Sequence, residues 1–351
     1  MHSPKKGLLR GWTGPFAAWL RKRWQKLTAA LGPVTAPTPV KPSLPPATEP
    51  PQRQPRADIV EIVGSASAVT GRLRMLPWVS PSRDYLTLTP STPRNDIRLL
   101  VLIHGCRQEP HGFAAATRIR ELVASGDWIV LLPNQTRRAN LHRCWNWFDL
   151  STAAGAGEVA ITLAMIETIC KRYLIQPGRC FVAGMSSGAG LAAAIVGHAP
   201  ERFAAAAFHS GVAMGASQSA LHARRVLAEG PETDVTLNLP THGNMPAIVI
   251  HGRKDEVVAE SHAHELMRQI LAINGELEPG DPLPAPSQIT PLVTEITYAA
   301  SLASYGASRL MMIDELGHAW SGGDSNWPYN DPKGPDATSA ILAFFEQHVT
   351  N

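Results

Sequence analysis

Six short apolar runs, each closed by turn residues, recur along the chain and limit its fold more than any other feature. They are the apolar part of DIRLLVLIHGC (residues 99–103), DWIVLLPN, RCFVAG, RFAAAAFHSG, PAIVIHG and RLMMIDELGH. Runs of this kind read as strands buried on both faces of a parallel sheet. Between and after them lie helical stretches: FAAATRIRELVAS, AGEVAITLAMIETICKRYLI, GAGLAAAIVGHA, AESHAHELMRQILAI and PDATSAILAFFEQHV. Strands alternating with helices need crossovers, so the expected fold class is α/β, a mostly parallel, doubly wound sheet flanked by helices. Two longer irregular stretches, about 216–244 and 274–292, read as surface insertions bordering a site. A chain of 351 residues can bury a sizeable core. No apolar stretch approaches the roughly 18–20 residues of a membrane-spanning helix.

Charge divides the chain. Up to residue 57 there are ten Lys and Arg against the single acidic Glu49, leaving 22 basic and 28 acidic residues beyond. The basic character therefore belongs to a tail, and no nucleic-acid partner is expected. GPFAAWLRKRWQKLTAAL, within residues 1–32, reads as a basic helix with Phe16, Trp19, Leu20, Trp24, Leu27 and Leu31 roughly on one face, interrupted by Arg23. Such a helix could adsorb to an anionic membrane or a hydrophobic granule, or be merely solvated. Nine prolines between Pro33 and Pro55 make residues 33–57 an extended linker. A cleavable secretory signal needs about 7–15 unbroken apolar residues, and FAAWL followed by Arg-Lys-Arg does not supply them. Residues 58–351 are read as one large α/β domain.

In doubly wound sheets ligands sit beyond the carboxyl ends of the strands. The expected strands end at His104-Gly105-Cys106, at Gly184-Met185-Ser186, at His209-Ser210-Gly211, at His251 with Asp255 close behind, and before His318. GMSSG, residues 184–188, fits the G-x-S-x-G pattern, in which a sharp strand-to-helix turn holds the central serine hydroxyl at the sheet edge. The pattern alone is weak; the apolar strand before it and the small-residue helix after it give it weight. An ordinary turn is the plainer reading.

A serine hydroxyl barely ionises at neutral pH, so it needs a base within reach, and the base needs an acid to fix its tautomer. In the order Ser, acid, His, the acid is Asp255 in HGRKDEVV, with Glu256 and Glu260 as rivals. His318 in DELGHAWSGG follows the last strand and precedes the last helix, in the required order. His251 precedes Asp255, and with His209 it reads as support for neighbouring loops. An oxyanion would be met by two backbone N–H groups, those of Ser187, after the nucleophile, and of Cys106, after the early strand.

With these residues in place the sequence resembles the poly(3-hydroxybutyrate) depolymerase-type esterases of the α/β-hydrolase superfamily. The resemblance rests on LIHGCRQEPHGFAAATRIREL, LPNQTRRANLHRCWNWF, GAGEVAITLAMIETI, RCFVAGMSSGAGLAAAI, FAAAAFHSGVAMG, PAIVIHGRKDEVV and GHAWSGG with YNDPKGPDATSAILAFF. The pairing of HGC with CWNWF and GHAWSGG is more specific than G-x-S-x-G. The resemblance implies Ser186 as nucleophile, Asp255 as acid and His318 as base. It also implies that Trp145, Asn146, Trp147 and Trp320 line or support a cleft suited to an apolar polyester chain. Ala189 stands where these enzymes often carry another glycine. With the last helix expected near His348, no C-terminal polymer-binding domain is expected. The expected substrates are thus polyhydroxyalkanoate chains or oligomers, or related short esters. Feruloyl or acetylxylan esterases share the triad and are an alternative, as is a non-catalytic granule-coating protein; a prolyl-peptidase-like hydrolase fits less well.

Cys106 and Cys144 fall in two loops that the resemblance brings to the site, so a disulfide between them is expected, implying an oxidising compartment. The resemblance suggests a secreted, extracellular protein, whereas the uncleaved-looking N-terminus suggests a cytoplasmic or granule-associated one. Cys170 and Cys180 read as small apolar residues. Neither C-x-x-C nor H-E-x-x-H occurs, so no metal and no cofactor is expected.

Overall fold

The computed structural model describes residues 57–67, 82–232, 244–277, 283, 285, 288–300 and 306–349. The basic helix expected within 1–32 and all of the proline-rich linker except Ala57 lie outside the described residues. Those that are described fall in one compact unit, residues 53–351.

The strands are β1 Ile59–Ser67, β2 Ser82–Pro90, β3 Arg98–Ile103, β4 Trp128–Pro133, β5 Cys180–Met185, β6 Ala205–His209, β7 Ala247–Gly252, β8 Gln288–Ile289, β9 Val293–Tyr298 and β10 Ser308–Ile313. They form one sheet in the order β1-β2-β4-β3-β5-β6-β7-β10-β9-β8. The six runs picked out by the sequence are the six parallel strands β3 to β7 and β10. The flanking strands β1, β2, β8 and β9 pair antiparallel and were not expected. A short parallel pair, β11 Trp320–Ser321 and β12 Asn330–Asp331, stands apart.

The helices are α1 Pro110–Ala116, α2 Arg120–Val123, α3 Leu150–Ala153, α4 Gly157–Tyr173, α5 Ser187–His198, α6 Ala220–Glu229, α7 Ser261–Ile273 and α8 Ala337–Glu346. The stretch expected as one helix from Phe113 is two, because Arg118 takes φ 56° between α1 and α2. The supposedly irregular stretch from 216 carries α6, capped by Ser219, whose side chain accepts from His222 N.

Alternating residues of each strand serve two cores. Leu99, Val101 and Ile103 of β3 pack with Met165, Leu191 and Leu266 from α4, α5 and α7. Leu100 and Leu102 pack with Phe113, Ile341 and Phe344 from α1 and α8 on the other face. Burying each such side chain contributes about 1.5–3 kcal/mol. This is why the central strands read as unbroken apolar runs. Their common direction brings the carboxyl ends of β3, β5, β7 and the end of β10 to one edge of the sheet.

Candidate active site

Ser186 sits between β5 and α5 with φ 54° and ψ −122°, a backbone conformation rare for a residue with a side chain. Two glycines make the turn feasible. A Cβ at Gly184 would strike the backbone of Gly188, and one at Gly188 would strike the carbonyl oxygens of Ile103 and His104. The strand-to-helix turn therefore lies against the end of β3. Ser186 N donates to His209 O at 2.9 Å, which ties the turn to β6 as well.

Asp255 and His318 arrive on adjacent turns after β7 and β10. Arg253 N donates to Ile313 O (2.9 Å) and Lys254 N to Leu316 O (3.0 Å), lacing the two turns together. Asp255 Oδ1 accepts from Val257 N and Val258 N, both at 2.9 Å. Its other oxygen accepts from His318 Nδ1 at 2.7 Å, and His318 Nε2 accepts from Ser186 Oγ at 2.9 Å. The carboxylate is fully buried. Burial raises its pKa, but the hydrogen bond and charge of His318, then the Val258 N–H, outweigh that and hold it below the usual carboxylate value. An alcohol so connected can pass its proton to the imidazole, and the carboxylate then stabilises the imidazolium. The rivals Glu256 and Glu260 take no part; Glu260 pairs with Arg253.

The other half of the site is a pair of loops. Cys106 follows β3 and is joined by a disulfide to Cys144. Ser187 Oγ lies 3.4 Å from Cys106 Sγ and accepts from Trp145 N at 3.3 Å. Arg107 N donates to His142 O at 2.7 Å. Among the described residues the N–H groups of Cys106 and Ser187 have no acceptor. Ser187 is the first residue of α5, where backbone N–H groups lack intrahelical partners and the helix dipole favours negative charge.

Beneath these loops lies a buried polar hub that the sequence reading missed. Glu158, in the first turn of α4, accepts from Asn146 N (2.7 Å), Asn146 Nδ2 (2.9 Å), Gln135 Nε2 (2.5 Å) and Arg83 Nη2 (3.1 Å). Gln135 also donates to Cys144 O at 3.0 Å and accepts from Arg83 Nε at 2.6 Å. The hub grips the loop that carries Cys144.

Of the four residues expected to line or support a cleft, the three tryptophans are buried and take the supporting place. Trp145 is fully buried, with Nε1 donating to His104 O at 2.9 Å. Trp320 is buried too; its Nε1 donates to Thr338 Oγ1 (3.0 Å) and its ring stacks on His209, centroids 4.9 Å apart. Trp147 packs edge-on against Phe148 with 7% exposure. Half-buried Asn146 is committed to Glu158 and to Asn140, whose Nδ2 donates to its Oδ1 at 3.0 Å. These residues brace the loops from below instead of facing a substrate.

Three strand-end histidines stay neutral. His209 accepts from Ser321 N at 3.2 Å, and burial, then the neighbouring His251 and His318, lowers its pKa to about 3. Burial brings His104, which accepts from Gln135 N at 3.2 Å, to about 4. His251 is lowered as well, by burial; its Nε2 lies 4.0 Å from Asp255.

The sheet order, the serine turn between β5 and α5 and the adjoining turns after β7 and β10 define an α/β-hydrolase. The fold matches an acetyl xylan esterase from Aspergillus awamori with TM-score 0.54 at 20% identity, covering 67% of this chain and 89% of that one. The chain belongs to the family described as "Esterase PHB depolymerase", which matches residues 83–282, more than half of it. That match takes in Ser186 and Asp255, while His318 lies beyond it. A poly(3-hydroxybutyrate) depolymerase of Ralstonia pickettii is 28% identical over 130 residues, 35% of this chain and 27% of that protein. Poly(3-hydroxyalkanoate) depolymerase C of Paucimonas lemoignei is 28% identical over 199 residues, 53% and 47% respectively. The chain thus spans about half or less of the length of these curated relatives.

Proposed function

We propose that this protein hydrolyses carboxylic esters through an acyl-enzyme, and that its substrates are polyhydroxyalkanoate chains, their oligomers or related short esters. The observation that carries the reading is the continuous hydrogen-bonded chain Ser186–His318–Asp255, with steps of 2.9 and 2.7 Å, in a member of an esterase family. Ser186 Oγ attacks the ester carbonyl as His318 Nε2 takes its proton; Asp255 holds the imidazole in the right tautomer. The oxyanion is met by the unengaged N–H groups of Cys106 and Ser187, each such donor contributing about 10²–10³ in rate. His318 then protonates the leaving alkoxide, and a water, deprotonated by the same imidazole, releases the acid and restores Ser186. The scheme uses groups on the chain, the ester and one water.

The family's substrate suits the reading, and residues 1–32 would supply granule or membrane adsorption. The test is a substrate panel: p-nitrophenyl esters of rising chain length, 3-hydroxybutyrate oligomers, amorphous polymer, and feruloyl and acetylated sugars. Turnover of the oligomers above the sugar esters is expected. Preference for the sugar esters would move the protein to the feruloyl or acetylxylan type. A fluorophosphonate that fails to label Ser186 in folded protein would favour a non-catalytic coat protein.

A further inference from the structure

The loops that bear Cys106 and Cys144 carry an unexplained concentration of positive charge. A cleft of about 400 Å³ is lined by Arg107, Glu109, Arg137, Leu141, His142 and Arg143. Arg143 pairs with Glu109 at 2.7 Å, which leaves Arg107 and Arg137 without an ion-pair partner among the described residues. Both are exposed, as is Arg138, which follows Arg137 in the chain. This lies in a domain that, from residue 58 on, has more acidic than basic residues, so the patch is not a sample of a generally basic surface. Its position is fixed: Arg107 follows Cys106, Arg143 precedes Cys144, and the disulfide and the Arg107 N to His142 O bond hold the two loops together. Arg107 and Arg143 adopt φ 64° and 54°, an uncommon conformation for residues with side chains, on either side of that disulfide.

We propose that this cleft binds the free carboxylate at the end of an oligoester substrate, so that the enzyme favours short oligomers cut near their acid end. This rests on the ester-hydrolase reading above. Every hydroxyalkanoate oligomer has one terminal carboxylate. When the last ester bond is cut, that carboxylate belongs to the leaving hydroxy acid, a few bonds from the carbonyl carbon. Arg107 is one residue, about 3.8 Å of chain, from the Cys106 amide proposed to hold the oxyanion. A guanidinium presents a fork of donors that matches a carboxylate with two parallel bonds. The chemistry is unchanged: water adds across the ester, the acyl C–O bond breaks, and the hydroxy acid leaves with its carboxylate still in the arginine cleft.

The test compares two dimers of 3-hydroxybutyrate, one with a free carboxylate and one capped as the primary amide, by cleavage of the internal ester at pH 7.5. The full chain should favour the free acid in kcat/KM. Arg137→Gln, and Arg107→Asn, which keeps a residue tolerant of positive φ, should each lower the ratio of the two kcat/KM values about three- to tenfold. Arg137→Glu should reverse the preference, and added salt should shrink it. Equal turnover of the two dimers in the full chain, or a ratio unmoved by these variants and by salt, overturns the inference. If a neutral p-nitrophenyl ester is cleaved but neither dimer is, the carboxylate cleft fails and the esterase reading stands. If no ester is cleaved, both fail.

Discussion

The two halves of the site are held by different means. Ser186, Asp255 and His318 are placed by main chain. The serine turn closes because nothing larger than glycine fits at 184 and 188, and the turns of Asp255 and His318 are laced by backbone hydrogen bonds. The Cys106–Ser187 half is placed by side chains: a half-buried disulfide, the Ser187 hydroxyl and the buried Glu158 hub. Main-chain geometry follows from the sheet and survives most side-chain changes outside the reacting groups. A few buried polar contacts do not, since losing one leaves its partners unsatisfied in a dry environment. Substitutions in the first half should therefore remove activity and spare the fold, and substitutions in the second should damage both.

The largest effect is expected where chemistry alone is removed. Ser186→Ala and His318→Ala should each lower kcat for a p-nitrophenyl ester by about 10⁵–10⁶, with Tm close to that of the parent. Asp255→Asn keeps an acceptor for Val257 and Val258 N–H and should cost about 10⁴. Melting curves recorded beside the rates decide the point. A Ser186→Ala protein that keeps more than about one per cent of the rate has another nucleophile, and the first half of the comparison fails.

Glu158 provides the opposite pattern. Its side chain is 5% exposed and that of its partner Arg83 10%, so Glu158→Ala strands a buried guanidinium and should destabilise the fold by about 3–5 kcal/mol. Activity should fall as well, by up to about 10², as the loop that carries Cys144 loosens. Glu158→Gln keeps an acceptor and should recover part of both losses. Urea unfolding read together with kcat and KM checks this. A Glu158→Ala protein with full stability and an unchanged kcat would show that the hub does not position the loops.

How much of this was legible follows from the same division. The six parallel strands announced themselves because burial on both faces demands unbroken apolar runs. β1, IVEIVGSAS, escaped notice because its partly and fully exposed residues mingle at the sheet edge. Ser186 could be read from GMSSG between a strand and a helix, and Asp255 and His318 from their places after later strands, since the topology fixes which strand ends meet. Glu158 could not be placed that way, yet it left a signal. It opens the buried stripe of α4 with Thr162, Met165, Ile166 and Ile169, where a carboxylate must have partners. Whether Trp145 and Trp320 line a cleft or support it was not legible, because an aromatic residue beside a site looks the same in sequence whether it faces substrate or packs beneath. Only burial separates the two.

The disulfide tests the second half without any substitution. Denatured protein that was never reduced should show two free thiols, those of Cys170 and Cys180, and four after reduction. Reduction should cost about 2–4 kcal/mol of stability. It should also slow turnover, because Cys106 would lose its tether to the loop held by Glu158. Ser186 should still react with a fluorophosphonate, since its turn does not depend on the bond. Four thiols before reduction would remove the disulfide from the account and leave Glu158 as the main support of that half.

Acid should act on both halves at once, through His209 under the serine turn and His104 under the Cys106 loop. Each accepts a backbone N–H and is held neutral by burial, with pKa values of about 3 and about 4 against 6.5 for a free imidazole. Below pH 6.5 the unfolded chain therefore binds protons that the folded chain refuses, and stability falls with pH until the folded values are reached. At pH 5.5 the loss is on the order of 1 kcal/mol for each imidazole, relative to pH 7.5. Asp255 joins later. Its folded pKa lies below the 3.8 of the unfolded chain, so its contribution is present above that value and is lost only as pH falls through the folded one. Tm measured from pH 7.5 to 4.5 should decline steadily. His209→Gln, which retains an acceptor for Ser321 N, should flatten the decline by about its own share. A Tm that stays level from pH 7.5 to 4.5 would mean that these imidazoles are not held neutral by burial.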